Sequence, residues 1–181
     1  MPPPRGSDRP GGHDNQFQEA AMAIKVGDRV PAGKFGIMTA SGPGSISTDE
    51  LFGGRKVVFF SVPGAFTPTC SNQHLPGYIK NSAALKAKGI DAIACMSVND
   101  VFVMDAWGRE RGAGDAVMML ADGNGEYAKS LGLELDASKF GMGHRSQRFS
   151  MIVENGVVKE LNVEAPGKFE VSTAECALSQ L

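Results

Sequence analysis

The chain has 181 residues, 42% of them hydrophobic and 21% charged, enough for one domain with a proper core. A formal net charge of -2 gives no bulk attraction to nucleic acid or to anionic lipid, and no apolar run approaches the roughly 18–20 residues that span a bilayer. Three cysteines, at 70, 95 and 176, fit neither a secreted disulfide scaffold nor a zinc-ligand spacing, so a reducing compartment, the cytoplasm, is expected.

Residues 1–21 are rich in Pro, Gly and polar side chains and cannot bury enough apolar surface to offset the entropy of ordering. They read as a disordered tail ahead of one domain over 22–181. They have no apolar stretch for a signal peptide, and Asp8, Asp14 and Glu19 argue against a transit peptide. Residues 26–47 are broken by Pro31, Gly33, Gly36 and a Gly42-Pro43-Gly44 turn, which predicts short strands. Thr48, ahead of Asp49-Glu50, predicts a helix cap with acidic residues in the first turn. Residues 56–62 (KVVFFSV) and 90–98 (IDAIACMSV) read as buried strands. Between them, residues 68–88 predict a helix that Pro76-Gly77 kinks or splits. Residues 101–111 predict a helix capped by Asn99 or Asp100, 117–121 a third strand, and 127–131 a short helix. Asn155-Gly156, between the apolar runs 149–153 and 157–163, predicts a type I′ hairpin, and 172–181 a last helix. This order describes an α/β sandwich with a mixed sheet flanked by helices.

The chemistry sits in residues 62–70, VPGAFTPTC, which leave a strand and open a helix. Thr67 suits the N-cap and Pro68 the first helical position, where a missing N–H costs nothing. Cys70 then falls in the first turn, among unpaired N–H groups at the positive end of the helix dipole. Such a place favours thiolate over thiol. Thr67, three residues earlier, can turn its hydroxyl toward the sulfur. No second cysteine stands three residues away, which argues against a dithiol reductase.

The runs PGAFTPTC, SNQHLPGY, SVNDVFVMDAW, RFSMIVENGVV and APGKFEVS resemble the type II (five-like) branch of the peroxiredoxins, from about Val26 to Leu181. The resemblance implies a thioredoxin-like fold and reduction of hydrogen peroxide and alkyl hydroperoxides, with no metal, haem or flavin. It also implies a homodimer formed through surfaces near the active site. By position, Cys70 matches the peroxidatic cysteine, Thr67 the threonine that contacts it, Pro63 the proline that shields it, and Arg148 the arginine behind the sulfur.

A free cysteine of pKa ~8.5 is roughly 3% ionised at pH 7, so complete ionisation raises a rate by about 30-fold at most. The rest of a peroxidase's acceleration must come from stabilising the oxygens as O–O breaks, a task for Arg148 and fixed N–H donors. Arg145 reads equally as a holder of its loop or a subunit contact. Cys95, inside a strand, reads as a core cysteine or a resolving one. Cys176, in the last helix, shares a helix row with Ser172 and Gln180 and is the other candidate to resolve. The segment GKFEVS has no cysteine where some relatives carry their resolving one. The expectation is therefore a one-cysteine cycle, with Cys70 sulfenic acid reduced by glutathione, glutaredoxin or thioredoxin. His74, one turn after Cys70, either lines the pocket or lies on the helix surface. Phe66, Phe140 and Trp107 form an apolar collar, a subunit contact or plain core. A redox sensor that reacts once, and a scaffold with an incidental cysteine, are the competing readings.

Overall fold

The structure, a computed structural model, describes residues 22–181. The 1–21 tail lies outside the described residues. A hairpin of β1 (Lys34–Thr39) and β2 (Gly42–Ser47) leads into α1 (Thr48–Phe52) and β3 (Lys56–Ser61). A π turn (Cys70–His74) passes into α2 (Leu75–Ala87), followed by β4 (Ala92–Ser97), α3 (Val101–Glu110), β5 (Met118–Ala121) and α4 (Glu126–Ser130). A short pair, β6 (Glu134–Asp136) and β7 (His144–Ser146), precedes the hairpin of β8 (Phe149–Glu154) and β9 (Val157–Val163), and α5 (Ala174–Ser179) comes last.

Side chains on a strand alternate between faces, so a strand apolar throughout must be covered on both. β3 and β4 behave this way. Val57, Phe59, Ala94 and Met96 enter one apolar cluster with Leu51 and Phe52 of α1 and Tyr127 of α4. Val58, Phe60, Ile93 and Cys95 enter another with Tyr78 of α2, Trp107 of α3 and Ala177 of α5. The main sheet runs β2-β1-β5-β4-β3-β8-β9. β3 pairs in parallel with β4, and β4 with β5, while β8 is antiparallel to β3 and β1 to β5. The mixed sheet flanked by helices is the α/β sandwich expected.

Four local expectations need correction. The first hairpin turns at Ala40-Ser41, because Thr39 pairs with Gly42; Pro43 stands in edge strand β2, where a missing donor is tolerated. The cap of α1 is Ser47 rather than Thr48. Ser47 and Glu50 form a reciprocal capping box, while Thr48 Oγ1 accepts the Gly33 N–H at 3.1 Å. The interruption expected at Pro76 falls one turn earlier. Pro76 cannot donate to the carbonyl of Asn72 and its ring crowds that group, so the chain widens, and the Leu75 N–H bonds Cys70 O, five residues back. β6 and β7 lie outside the predicted strands. The Asn155-Gly156 turn has φ of +47° and +77°, as a type I′ hairpin requires.

Candidate active site

Strand β3 delivers the chain into a tight loop before Cys70. Phe66 has φ +64°, a conformation that costs a bulky residue roughly 1–3 kcal/mol. Its neighbours hold it there. The Ala65 N–H donates to Asn99 Oδ1 at 3.0 Å, and Thr67 Oγ1 donates to the Gly64 carbonyl at 2.7 Å. Thr67 occupies the cap position by its backbone, since its carbonyl accepts the Ser71 N–H at 2.9 Å. Its hydroxyl ties the loop instead of capping, and no hydrogen bond among the described residues joins it to Cys70. Arg145 braces the far side, donating to the carbonyls of Met142 at 2.8 Å and Val98 at 3.1 Å, so the loop-holding alternative describes its contacts. Asp100 caps α3, which frees Asn99 for this loop.

Cys70 is fully buried, and Arg148 Nη2 donates to its Sγ at 3.2 Å. Arg148 stands one residue before β8, whose antiparallel pairing with β3 fixes its height above the π turn. The other prong, Nη1, lies 2.9 Å from His74 Nδ1. His74 Nε2 lies 3.0 Å from the Ser172 carbonyl oxygen. A carbonyl can only accept and a guanidinium can only donate, so the ring is neutral with its proton on Nε2. Burial, reinforced by the Arg148 charge, pushes His74 down from 6.5 to about 3, against the Ser172 carbonyl, which favours the protonated ring. His74 is therefore no surface residue: it is fully buried, packed on Phe60 and on Phe169 with ring centroids 4.8 and 4.9 Å away. Phe169 also lies 5.6 Å beneath the Arg148 guanidinium.

A cleft of about 650 Å³ opens beside this cluster. Pro63, Thr69 and Arg148 are among the residues that line it, and Phe140, Phe169 and Pro166 supply apolar walls. Cys70 adjoins these residues through Thr69, its neighbour in the chain, and Arg148, which donates to its sulfur. Among the described residues, no group of three or more His, Cys, Asp or Glu side chains is placed to hold a metal, and no helix is long and apolar enough to cross a membrane.

The family model described as Redoxin matches residues 25–178. The chain is 50% identical over 163 residues to Peroxiredoxin-2E-2, chloroplastic, of Oryza sativa, covering 87% of this chain and 72% of that protein. It is 48% identical over 159 residues to Peroxiredoxin-2C of Arabidopsis thaliana, covering 87% and 98%. The chain belongs to the type II peroxiredoxins of the redoxin family. Among solved structures it resembles reduced Prx3 of Vibrio vulnificus in complex with H2O2, at TM-score 0.83 and 54% identity over 86% of this chain and 98% of that one. It also resembles peroxiredoxin 5 of Alvinella pompejana, at TM-score 0.77 and 37% identity over 87% and 97%. The fold is thioredoxin-like and the activity is that of a thiol peroxidase.

The other residues singled out from the sequence fall into two groups. Trp107 of this peroxiredoxin is core, fully buried, with its indole N–H donating to Ser71 Oγ at 2.9 Å, so it forms no collar. Phe66 and Phe140 are open to solvent, at 48% and 71% exposure. Cys95 is buried in mid-strand, opposite Phe60 of β3 and Met119 of β5. Burial pushes its thiol well up, and nearby Cys70 adds to the effect. Cys176 is half-buried on α5, its thiol 3.4 Å from the Glu170 carbonyl.

Sequence reasoning missed Ser172, Phe169, Tyr78 and Glu164. Tyr78 donates its hydroxyl to the Ser172 carbonyl at 2.9 Å, the oxygen that His74 also uses. Glu164 Oε1 accepts the N–H groups of Glu170, Val171 and Ser172 and the Ser172 hydroxyl, each at 2.8 Å. Burial raises the Glu164 carboxyl, but these donors outweigh it and hold the group below its ordinary 4.5.

His74 makes folding sensitive to acid. Below pH 6.5 the unfolded chain takes a proton that the buried ring refuses until about pH 3, so the unfolded state binds more protons and stability falls as pH drops. The expected loss approaches about 1.4 kcal/mol per pH unit. Urea midpoints at pH 7, 6 and 5 would read it, and His74→Gln should flatten the slope.

Proposed function

We propose that Cys70 is the peroxidatic nucleophile and that the enzyme reduces hydrogen peroxide and alkyl hydroperoxides. The observation that carries this reading is the 3.2 Å contact of Arg148 Nη2 with Cys70 Sγ. The thiolate attacks the near oxygen of the peroxide. An S–O bond forms, O–O breaks, and the departing oxygen takes a proton to leave as water or alcohol, with Cys70 left as sulfenic acid. Negative charge moves from sulfur to the leaving oxygen during this step. A guanidinium already beside the sulfur follows that charge with little reorganisation. Thr67 gives its hydroxyl proton to Gly64, which leaves its oxygen able to accept from the peroxide O–H. Pro63, which lines the cleft, shields the sulfur from bulk water. Phe140 lines the cleft, whereas Phe66, expected in the pocket, is exposed and does not line it.

The sulfenic acid is returned to thiol by an external donor: glutathione with glutaredoxin, or thioredoxin. A disulfide needs Cα atoms within about 7 Å and aligned Cβ vectors. Cys95 is paired on both sides in the sheet centre and Cys176 is turned to a carbonyl, which supports a one-cysteine cycle. After one equivalent of peroxide, intact mass should show a gain of oxygen; loss of two hydrogens would mean an internal disulfide and end this reading. A homodimer in the cytoplasm completes the proposal, with the exposed Phe66 and Phe102 as apolar contacts. Peroxide consumption should be catalytic with at least one of the two reductant systems; consumption of a single equivalent with both would defeat the enzymatic cycle.

A further inference from the structure

We propose that Glu164 is a positioning residue for the peroxidase reaction, acting on Cys70 through Ser172, His74 and Arg148. This rests on the reading of Cys70 and Arg148 given above.

A buried carboxylate is costly unless its lone pairs are filled. One oxygen of Glu164 takes four donors, three of them consecutive backbone N–H groups. Successive N–H groups converging on one anion form a nest, and such bonds are about twice as strong as neutral ones. Glu164 stands just after β9, so it pins the 165–172 segment to the sheet.

Holding Ser172 by both its N–H and its hydroxyl fixes the residue that makes the next contact. The Ser172 carbonyl faces the π turn and accepts from both His74 Nε2 and Tyr78 Oη, which fills its two lone pairs. That carbonyl, together with the guanidinium at Nδ1, keeps the His74 proton on Nε2. With the proton there, Nδ1 is bare and accepts from Arg148 Nη1, and the second prong is aimed at Cys70. If Ser172 swings away, Nε2–H loses its partner and the proton can move to Nδ1. An Nδ1–H confronts the guanidinium donor to donor and turns it from the sulfur. A loop tie of purely structural use would leave the His74 proton where it is.

The test uses the full chain. Glu164→Ala should slow the reaction with hydrogen peroxide by about ten- to hundredfold, and Glu164→Gln by less. Ring ¹⁵N shifts should show a bare Nδ1 in the wild type and a mixed tautomer in both variants. In a His74→Phe background, which has neither the donor nor the acceptor, the further loss on Glu164→Gln should be under about twofold, because the route is already cut. If Glu164→Ala does not fold, Glu164→Gln decides. A folded Glu164→Gln with the wild-type rate and tautomer overturns the proposal, as does a loss of equal size in the His74→Phe background. Should Cys70→Ser or Arg148→Ala retain full activity, the reading beneath it has failed; if those variants are inactive and the Glu164 variants normal, only this inference falls.

Discussion

Cys70→Ser is expected to lower peroxide turnover by roughly 10⁴-fold or more while the protein stays folded. A serine hydroxyl is neutral at pH 7 and reacts only when a base removes its proton. The site has none in place. Arg148, against the sulfur, is a permanent cation, and the one bare nitrogen of His74 is already taken by Arg148. The exchange is nearly isosteric, and the serine oxygen inherits the Arg148 donor, so no buried polar atom is stranded. Stability should change by about 1 kcal/mol, a shift of about 2–4 °C in a chain of this size. Peroxide consumption and a thermal melt check the two halves separately. Residual turnover above a tenth of wild type would place the nucleophile elsewhere, with Cys176 the remaining cysteine that is not fully buried.

Cys70 and its loop were legible because the information is local. A strand apolar on both faces, a proline at a helix start and a cysteine three positions after a threonine are all visible within a dozen residues. Arg148 came from the resemblance alone, since nothing in its neighbours says that β8 lies against β3. Helical spacing placed His74 near Cys70, yet it could not give the burial or the tautomer. Both depend on the π turn and on a carbonyl in a distant loop. Glu164 left no trace in the sequence for a related reason. Its partners are mainly backbone N–H groups, which every residue except proline carries, so no side-chain pattern marks the nest. β6 and β7 have three residues each, too few for alternation to stand out. The cap of α1 falls one position earlier than expected because serine and threonine are both good caps, and the box with Glu50 chooses Ser47.

Arg148→Ala is expected to slow the reaction of Cys70 with peroxide by about 10²–10³-fold, the usual cost of removing one fixed donor from developing charge. Ionisation alone cannot absorb such a loss, because it is worth about 30-fold at neutral pH. The excess measures what the guanidinium does after sulfur begins to give up its charge. Arg148→Lys should recover only a minor share. A lysine ammonium is a single point charge on a flexible stem, whereas Arg148 bonds His74 with one nitrogen and Cys70 with the other while resting on Phe169. Moving to one partner forfeits the other. Stability should fall by about 1–2 kcal/mol in the alanine variant, since His74 Nδ1 is left buried without a donor. The two effects are separable: the stability loss is also expected on removing the ring nitrogens in His74→Phe, but the full rate loss is not, because there the guanidinium remains. Stopped-flow rates with hydrogen peroxide for the three variants make the comparison. An alanine variant within about threefold of wild type would mean that the donor meeting the leaving oxygen is backbone N–H from the first turn, and that Arg148 serves only to hold His74.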